Sequence, residues 1–475
     1  MSLHVLTYNL NRVMQIFGVA PLVASRPHQL FTDGPVGPQL FKMTIPLVWG
    51  VLATMGAQVV ITWCVGRLGV AEFAAIGFAF PIVMTVVSFG IGFAAGTSAA
   101  VAQDLGRGDK HGVAHLTTHA ILIAGVSTAL LSVIGILSIR PIFRAMGASV
   151  QALPLISTYM RIWYLGAPFY IASMVGLSAL RAVGDSRFQG IAMVAAASLS
   201  AILAPFLILN PHVREHNGIA AAAFASNAPW TIMFVITFLR LKHMGMLDRG
   251  GFAIDQIANS SRRLMRIGLP AALTNIIIPF AAAIVTAFLA PFGSEAVAGF
   301  GIATRFEAMT LCAFLALSAV MNPFAGQNFG AARPERIRIA LRLVVWFCIG
   351  WGTLLAIALG LSARHLSAYF SANAEVARVA AAYWYIVPVS YGASGVIMCV
   401  NAIFNGLSKP LAAVSISAAR VIGVNIPIAW IGAHLLGSSG VFFGISVANF
   451  IVGIAATIWV RRALANEKHT LQPVA

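Results

Sequence analysis

Among the 13 acidic residues of this chain, only Glu307 lies well inside an apolar run. Asp33, Asp104, Asp109, Asp185, Glu215, Asp248, Asp255, Glu335 and Glu467 fall in polar segments, and Glu72, Glu295 and Glu375 sit at the edges of apolar runs. Burial disfavours the charged form of a carboxylate, and a nearby cation favours it, so such an acid can take up and release a proton. Arg305 and Arg420 are the cations placed to take part. Arg305 is two residues from Glu307, where helical side chains diverge by about 200°, so the two do not face each other. Arg420 is the alternative partner. The competing reading for all three is a static arrangement, with an ion pair packing helices or an arginine reaching out to the membrane interface.

Neutral polar residues in apolar runs, Gln58, Thr62, Asn275, Thr286, Ser394 and Asn401, either line a cavity or join helices by hydrogen bonds. His111, His115 and His119 repeat every four residues, which puts three imidazoles on one helix face. Without a carboxylate or cysteine at helical spacing they read as a polar face, and no metal site is expected. Cys64, Cys312, Cys348 and Cys399 lack paired spacing, so neither a disulfide framework nor a zinc site is indicated. No Gly-x-x-x-x-Gly-Lys loop is present, which excludes ATP-driven work by this chain itself.

The elements that must hold these groups are membrane helices. Hydrophobic residues make up 59% of the 475 residues, and the 43 glycines bring the apolar share to about 68%, against roughly 45–50% in soluble domains. Twelve apolar runs of about 20 residues or more recur between positions 43 and 460, unbroken and without alternation, so they predict spanning helices and not barrel strands. The net charge of +17 would suggest nucleic acid in a soluble protein. With the N-terminus placed inside, however, 21 basic residues fall in inner segments and six in outer loops. That asymmetry predicts two cytoplasmic termini, a lipid bilayer as the surrounding partner and no nucleic acid. Near the N-terminus, Leu3, Leu6, Leu10, Met14 and Phe17 fit either an interfacial amphipathic helix or an unstructured tail, while Asn9, Asn11 and Arg12 argue against a cleavable signal.

The chain also repeats itself. A shift of 224 residues pairs Pro46 with Pro270, Gly69 with Gly293, Gly77 with Gly301, Gln103 with Gln327, Gly106 with Gly330 and Tyr159 with Tyr383. Six spans separate the copies, so they share one orientation and are related by an axis along the membrane normal. The expected division is a cytoplasmic segment 1–40, a first lobe 41–241, a linker 242–262, a second lobe 263–462 and a tail 463–475. Substrate is expected between the lobes.

FGIGFAAGTSAAVAQDLG (Phe89 to Gly106), GQNFGAARPER (Gly326 to Arg336), and IPLVWGVLATMG from Ile45 followed by VGRLG at Val65 resemble transporters of the multidrug and toxic compound extrusion (MATE) family. The resemblance implies an all-α membrane protein of twelve helices in two six-helix lobes forming a V. It further implies a monomeric antiporter in a bacterial inner membrane, exporting small organic compounds by alternating access. It supports a shared role for Arg305 and Glu307, because a similar Arg-x-Glu recurs in the eighth helix of that family. Many bacterial members carry an aspartate in the first helix where this chain has Ile61 and Thr62, and the sodium-coupled branch uses acids in helices seven and ten, which this chain lacks. Proton coupling is therefore expected over sodium, with no cofactor. The alternative is a lipid-linked oligosaccharide flippase of the same superfamily, with an intramembrane enzyme disfavoured for want of clustered His, Asp or Cys.

Overall fold

The computed structural model describes residues 31–470 other than 249, 251, 252 and 372, without the side chains of 214–216 and 467–470. Every regular element among the described residues is helical. The first lobe holds α1 (Val36–Gly66), α2 (Val70–Gly106), α3 (Lys110–Ala145), α4 (Ala152–Ala182), α5 (Ser186–Ile208) and α6 (Pro211–His243). The second holds α7 (Ile254–Leu289), α8 (Ser294–Thr310), α9 (Cys312–Gly330), α10 (Pro334–Phe370), α11 (Ala374–Ile386), α12 (Tyr391–Gly406), α13 (Pro410–Ala418), α14 (Ile426–Leu436) and α15 (Ser438–Thr470). Eleven helical stretches are long and apolar enough to cross a bilayer, and α8 with α9, bent by 48°, forms a twelfth. Leu137, Leu361 and Leu435 are 77%, 80% and 75% exposed, part of an apolar surface that suits a lipid surround. The amphipathic pattern between Leu3 and Phe17 lies outside the described residues.

Helices overrun their apolar runs, and two of them reach into segments expected to lie outside the spans. α1 begins at Val36, inside the segment 1–40 read as cytoplasmic, and α7 begins at Ile254, inside the segment read as a linker. Backbone hydrogen bonding carries a helix beyond the hydrocarbon layer wherever polar side chains there can face water, and hydropathy registers only the apolar part.

The repeat is written into the backbone. Gly108 and Gly184 take left-handed φ values of 81° and 94° in the turns after α2 and α4. Their equivalents 224 residues on are Ala332 and Ser408, which hold the same kind of conformation at φ 54° and 56°. A left-handed turn costs a residue with a Cβ about 1–2 kcal/mol, so the second copy keeps the turn in spite of its sequence.

The lobes meet along one face, where the α2–α3, α4–α5, α6–α7, α9–α10 and α12–α13 turns gather. This is also the face on which the basic excess of the sequence falls, and it is called the basic face below. There α2 packs on α7 and α9, and α1 on α9. Glycines permit the approach: a Cβ on Gly92 would collide with the Gly268 carbonyl oxygen, and one on Gly96 would crowd that of Leu264. Toward the opposite face Gly77 and Gly301, equivalent in the repeat, look into open space. The lobes are joined at the basic face, and beyond it α2 over 70–89 and α7 over 273–288 are mostly exposed or half-buried.

Candidate functional site

Glu307 stands in the last turn of α8, just before the bend at Leu311. The Tyr383 hydroxyl donates to Glu307 Oε2 at 2.7 Å. Tyr383 is 1% exposed, and its ring is wedged between Phe300 and Phe442, with centroids 5.8 and 5.1 Å away, so the phenol is held in place by packing. The buried Tyr391 hydroxyl lies beside Thr310 and Glu307. Arg420 is close enough for its charge to interact with that of Glu307, but no ion pair within 4.0 Å joins them.

Three spans lose regular α geometry around this acid. The eighth is broken at Leu311, the tenth passes through a 3-10 turn at Pro388–Ser390 between Tyr383 and Tyr391, and the eleventh winds into a π-helix over Ala419–Asn425, which contains Arg420. Irregular backbone inside a membrane requires local partners, and it is where transporters place polar sites. Here the Ser446 hydroxyl donates to the Ile386 carbonyl at 3.0 Å and Asn449 donates to Ser390 Oγ at 2.9 Å, so α15 supports the loosened tenth span.

The other sequence candidates disperse. Arg305 is exposed on the far side of α8 from Tyr383, as its spacing requires, and does not join Glu307. Thr62, Asn275 and Thr286 donate to their own helices, at the Gln58, Ala271 and Ala282 carbonyls. Asn401 donates to Ser417 Oγ at 3.0 Å, joining α12 to α13, and Ser394 is buried within the second lobe. Gln58 lines a separate cavity of about 90 Å³ in the first lobe, with Thr54, Trp163, Ser200, Asn227 and Trp230. That volume is well below the roughly 300 Å³ of a complete small-molecule site. No acid lines it, because Ile61 stands in its wall. Tyr159, the equivalent of Tyr383, meets Ser226 in the first lobe, and Val83 occupies the position equivalent to Glu307.

The seam at the basic face carries functional groups that hydropathy reading missed. Gln103 Nε2 donates to the Gly406 carbonyl at 2.6 Å and lies 2.8 Å from Ser408 Oγ, while Gln327 Nε2 donates to the Ala182 carbonyl at 2.7 Å. Donor pairs with donor and acceptor with acceptor at the offset of 224, so the two bonds form a pseudo-twofold clasp. Asp104, read from sequence as a loop residue, is 4% exposed in the last turn of α2 and takes a bidentate ion pair from Arg263 of α7 at 2.6 and 2.8 Å. A strap from Phe31 to Gly34 crosses to the second lobe, where Phe31 N donates to Gln327 Oε1 at 2.7 Å and Arg336 donates to the Phe31 and Gly34 carbonyls. The matched pair Gln103 and Gln327 was the available signal for this seam.

Two parallel bundles joined along one face, with a half-buried acid beside broken helices, define a polytopic membrane transporter. The MatE family matches residues 46–206 and 270–431, two segments whose starts are again 224 apart. The chain belongs to this family, the multidrug and toxic compound extrusion transporters. It is 33% identical over 440 residues to a protein of Shewanella oneidensis named FAD transporter, covering 92% of this chain and 97% of that one. It is 25% identical to the probable multidrug resistance protein YoeA of Bacillus subtilis, over 82% of this chain and 85% of that one. A crystal structure of a mutant of the Vibrio cholerae MATE transporter VcmN superposes with a TM-score of 0.88 at 30% identity, covering 92% of this chain and 98% of that one.

Proposed function

We propose that the chain is a secondary active exporter that moves small organic compounds out of the cytoplasm by alternating access, exchanging them for protons at Glu307. The observation that carries this reading is the Tyr383–Glu307 hydrogen bond at the level where three spans are irregular. A charged carboxylate accepts the phenol's hydrogen bond and balances Arg420; a protonated one loses its charge and leaves Arg420 uncompensated. The preferred packing of the loosened spans then differs between the two states, which is what a proton must do to bias a conformational equilibrium. With the basic face cytoplasmic, the joined seam closes the cytoplasmic side, and in this state Glu307 would exchange protons with the outside. The reading includes a monomer in a bacterial inner membrane, with both termini inside. The flavin nucleotide in the Shewanella relative's name makes aromatic nucleotides a substrate class to test here.

Purified protein in liposomes under an imposed pH or sodium gradient tests the reading. Export dependent on the pH gradient and indifferent to sodium is expected; strict sodium dependence overturns proton coupling. One proton crossing a gradient of one pH unit supplies about 1.4 kcal/mol, so a neutral substrate should accumulate about tenfold per unit.

A further inference from the structure

Arg181, near the basic-face end of α4, is 7% exposed. Its Nη1 donates to Gln189 Oε1 at 2.7 Å, and its Nε has no hydrogen-bond partner. No carboxylate lies within ion-pair distance among the described residues, and the acid one turn further on, Asp185, is taken by Arg240 at 2.9 Å. A buried guanidinium without a counter-ion costs several kcal/mol and is rare without a reason. The other lobe reaches this region at the next residue, where the carbonyl of Ala182 receives the Gln327 amide. The equivalent of Arg181 in the second lobe is Asn405, also buried, so the charge belongs to one side of the seam alone.

We propose that Arg181 is a specificity-determining residue that binds an anionic group of the exported molecule once the seam parts. Gln189 occupies Nη1, which leaves the edge formed by Nε and Nη2 for two parallel hydrogen bonds. That edge fits a phosphate or a carboxylate. With the seam closed the cation is sealed off. With it open, the site faces the cytoplasm and accepts anions from there. The proposal rests on the alternating-access exporter reading and adds the charge of the substrate to it.

The test is equilibrium binding of riboflavin, FMN and FAD to the purified full chain, three ligands with one ring system and different phosphate content. Wild type is expected to bind FMN and FAD at least tenfold more tightly than riboflavin. Gln189→Glu places a carboxylate beside Arg181 and is expected to abolish that preference while riboflavin binding is kept. Arg181→Lys, which keeps the charge and loses the fork, is expected to retain part of it. A bracing role for Arg181 predicts instead that Gln189→Glu raises thermal stability with the FMN-to-riboflavin ratio unchanged, and that result overturns the proposal. Failure of wild type to bind any of the three also overturns it, and leaves the exporter reading to the gradient assay. Absence of gradient-driven export by wild type, whatever flavins bind, defeats the exporter reading instead.

Discussion

Gln103 and Gln327 are equivalent residues of the two repeats, and each donates its side-chain amide to a backbone carbonyl beyond the seam, at Gly406 and Ala182. A net value of about 0.5–1.5 kcal/mol for each bond makes the clasp worth roughly 1–3 kcal/mol. Replacing both glutamines with leucine should raise the population open at the basic face by about 5- to 150-fold. Spin-label distances between the α2–α3 and α9–α10 turns read this directly; unchanged distances would remove the clasp from the gate.

Gly106 and Gly330 offer a second test of the same symmetry. A Cβ on either would collide with the backbone carbonyl of the glutamine opposite, Gln327 or Gln103. Gly106→Ala and Gly330→Ala should each weaken the closed seam by about 1–3 kcal/mol, the usual cost of overpacking, and by similar amounts. Strongly unequal effects in the same distance measurement would contradict a pseudo-twofold seam.

Glu307→Gln preserves size and hydrogen bonding and removes the proton cycle. Gradient-driven export should collapse in a protein that still folds, whereas Tyr383→Phe, which deletes one bond of about 1.5–3 kcal/mol to a charged group, should slow export and leave it proton-driven. Normal pH-dependent efflux by Glu307→Gln would sink the coupling assignment. Thermal stability measured alongside separates this from a folding defect.

The strap gives a pH prediction with a definite sign. The hydrogen bond from Arg333 holds the Asp33 carboxyl below its usual value of 3.8, an effect that burial opposes only in part. A depressed folded-state value stabilises the fold above the ordinary one and loses that contribution as pH falls through the depressed one. Asp33→Asn should therefore leave the transport profile between about pH 5.5 and 8 unchanged, and alter thermal stability relative to wild type only by an amount that shrinks below about pH 4. A shift of the transport profile near neutrality would make Asp33 part of the proton path.

Ala332 holds a left-handed turn that its repeat partner fills with glycine. Ala332→Gly should raise stability by about 0.5–1 kcal/mol, after the extra entropy of a glycine in the unfolded chain is subtracted. A loss of thermal stability would show that the turn is not strained.

The spans, the repeat and the lone acid Glu307 were all legible because each is a matter of composition or spacing. Asp104 was placed in a loop because the apolar run ends before α2 does; its burial comes from Arg263, 159 residues away, which no local pattern reports. The bend at Leu311 and the π-helix around Arg420 were invisible for a different reason. No proline or glycine sits at the Leu311 break, and a continuous apolar run reads alike whether the helix within it is regular, bent or wound into a π-helix. The partner of Glu307 proved to be Tyr383, a residue that the repeat had flagged only as a match to Tyr159.

Val83 stands where a second Glu307 would be. Duplication gave both lobes the tyrosine and only one the acid, so the proposed exchange would carry one proton at this position in each cycle. For a neutral substrate, one positive charge then enters the cell per molecule exported. For a dianion such as a nucleotide phosphate, the proton entering and two negative charges leaving add to three positive charges moved inward. At about 2.3 kcal/mol per charge for each 100 mV, an inside-negative membrane voltage would outweigh a pH gradient of one unit as the force behind export.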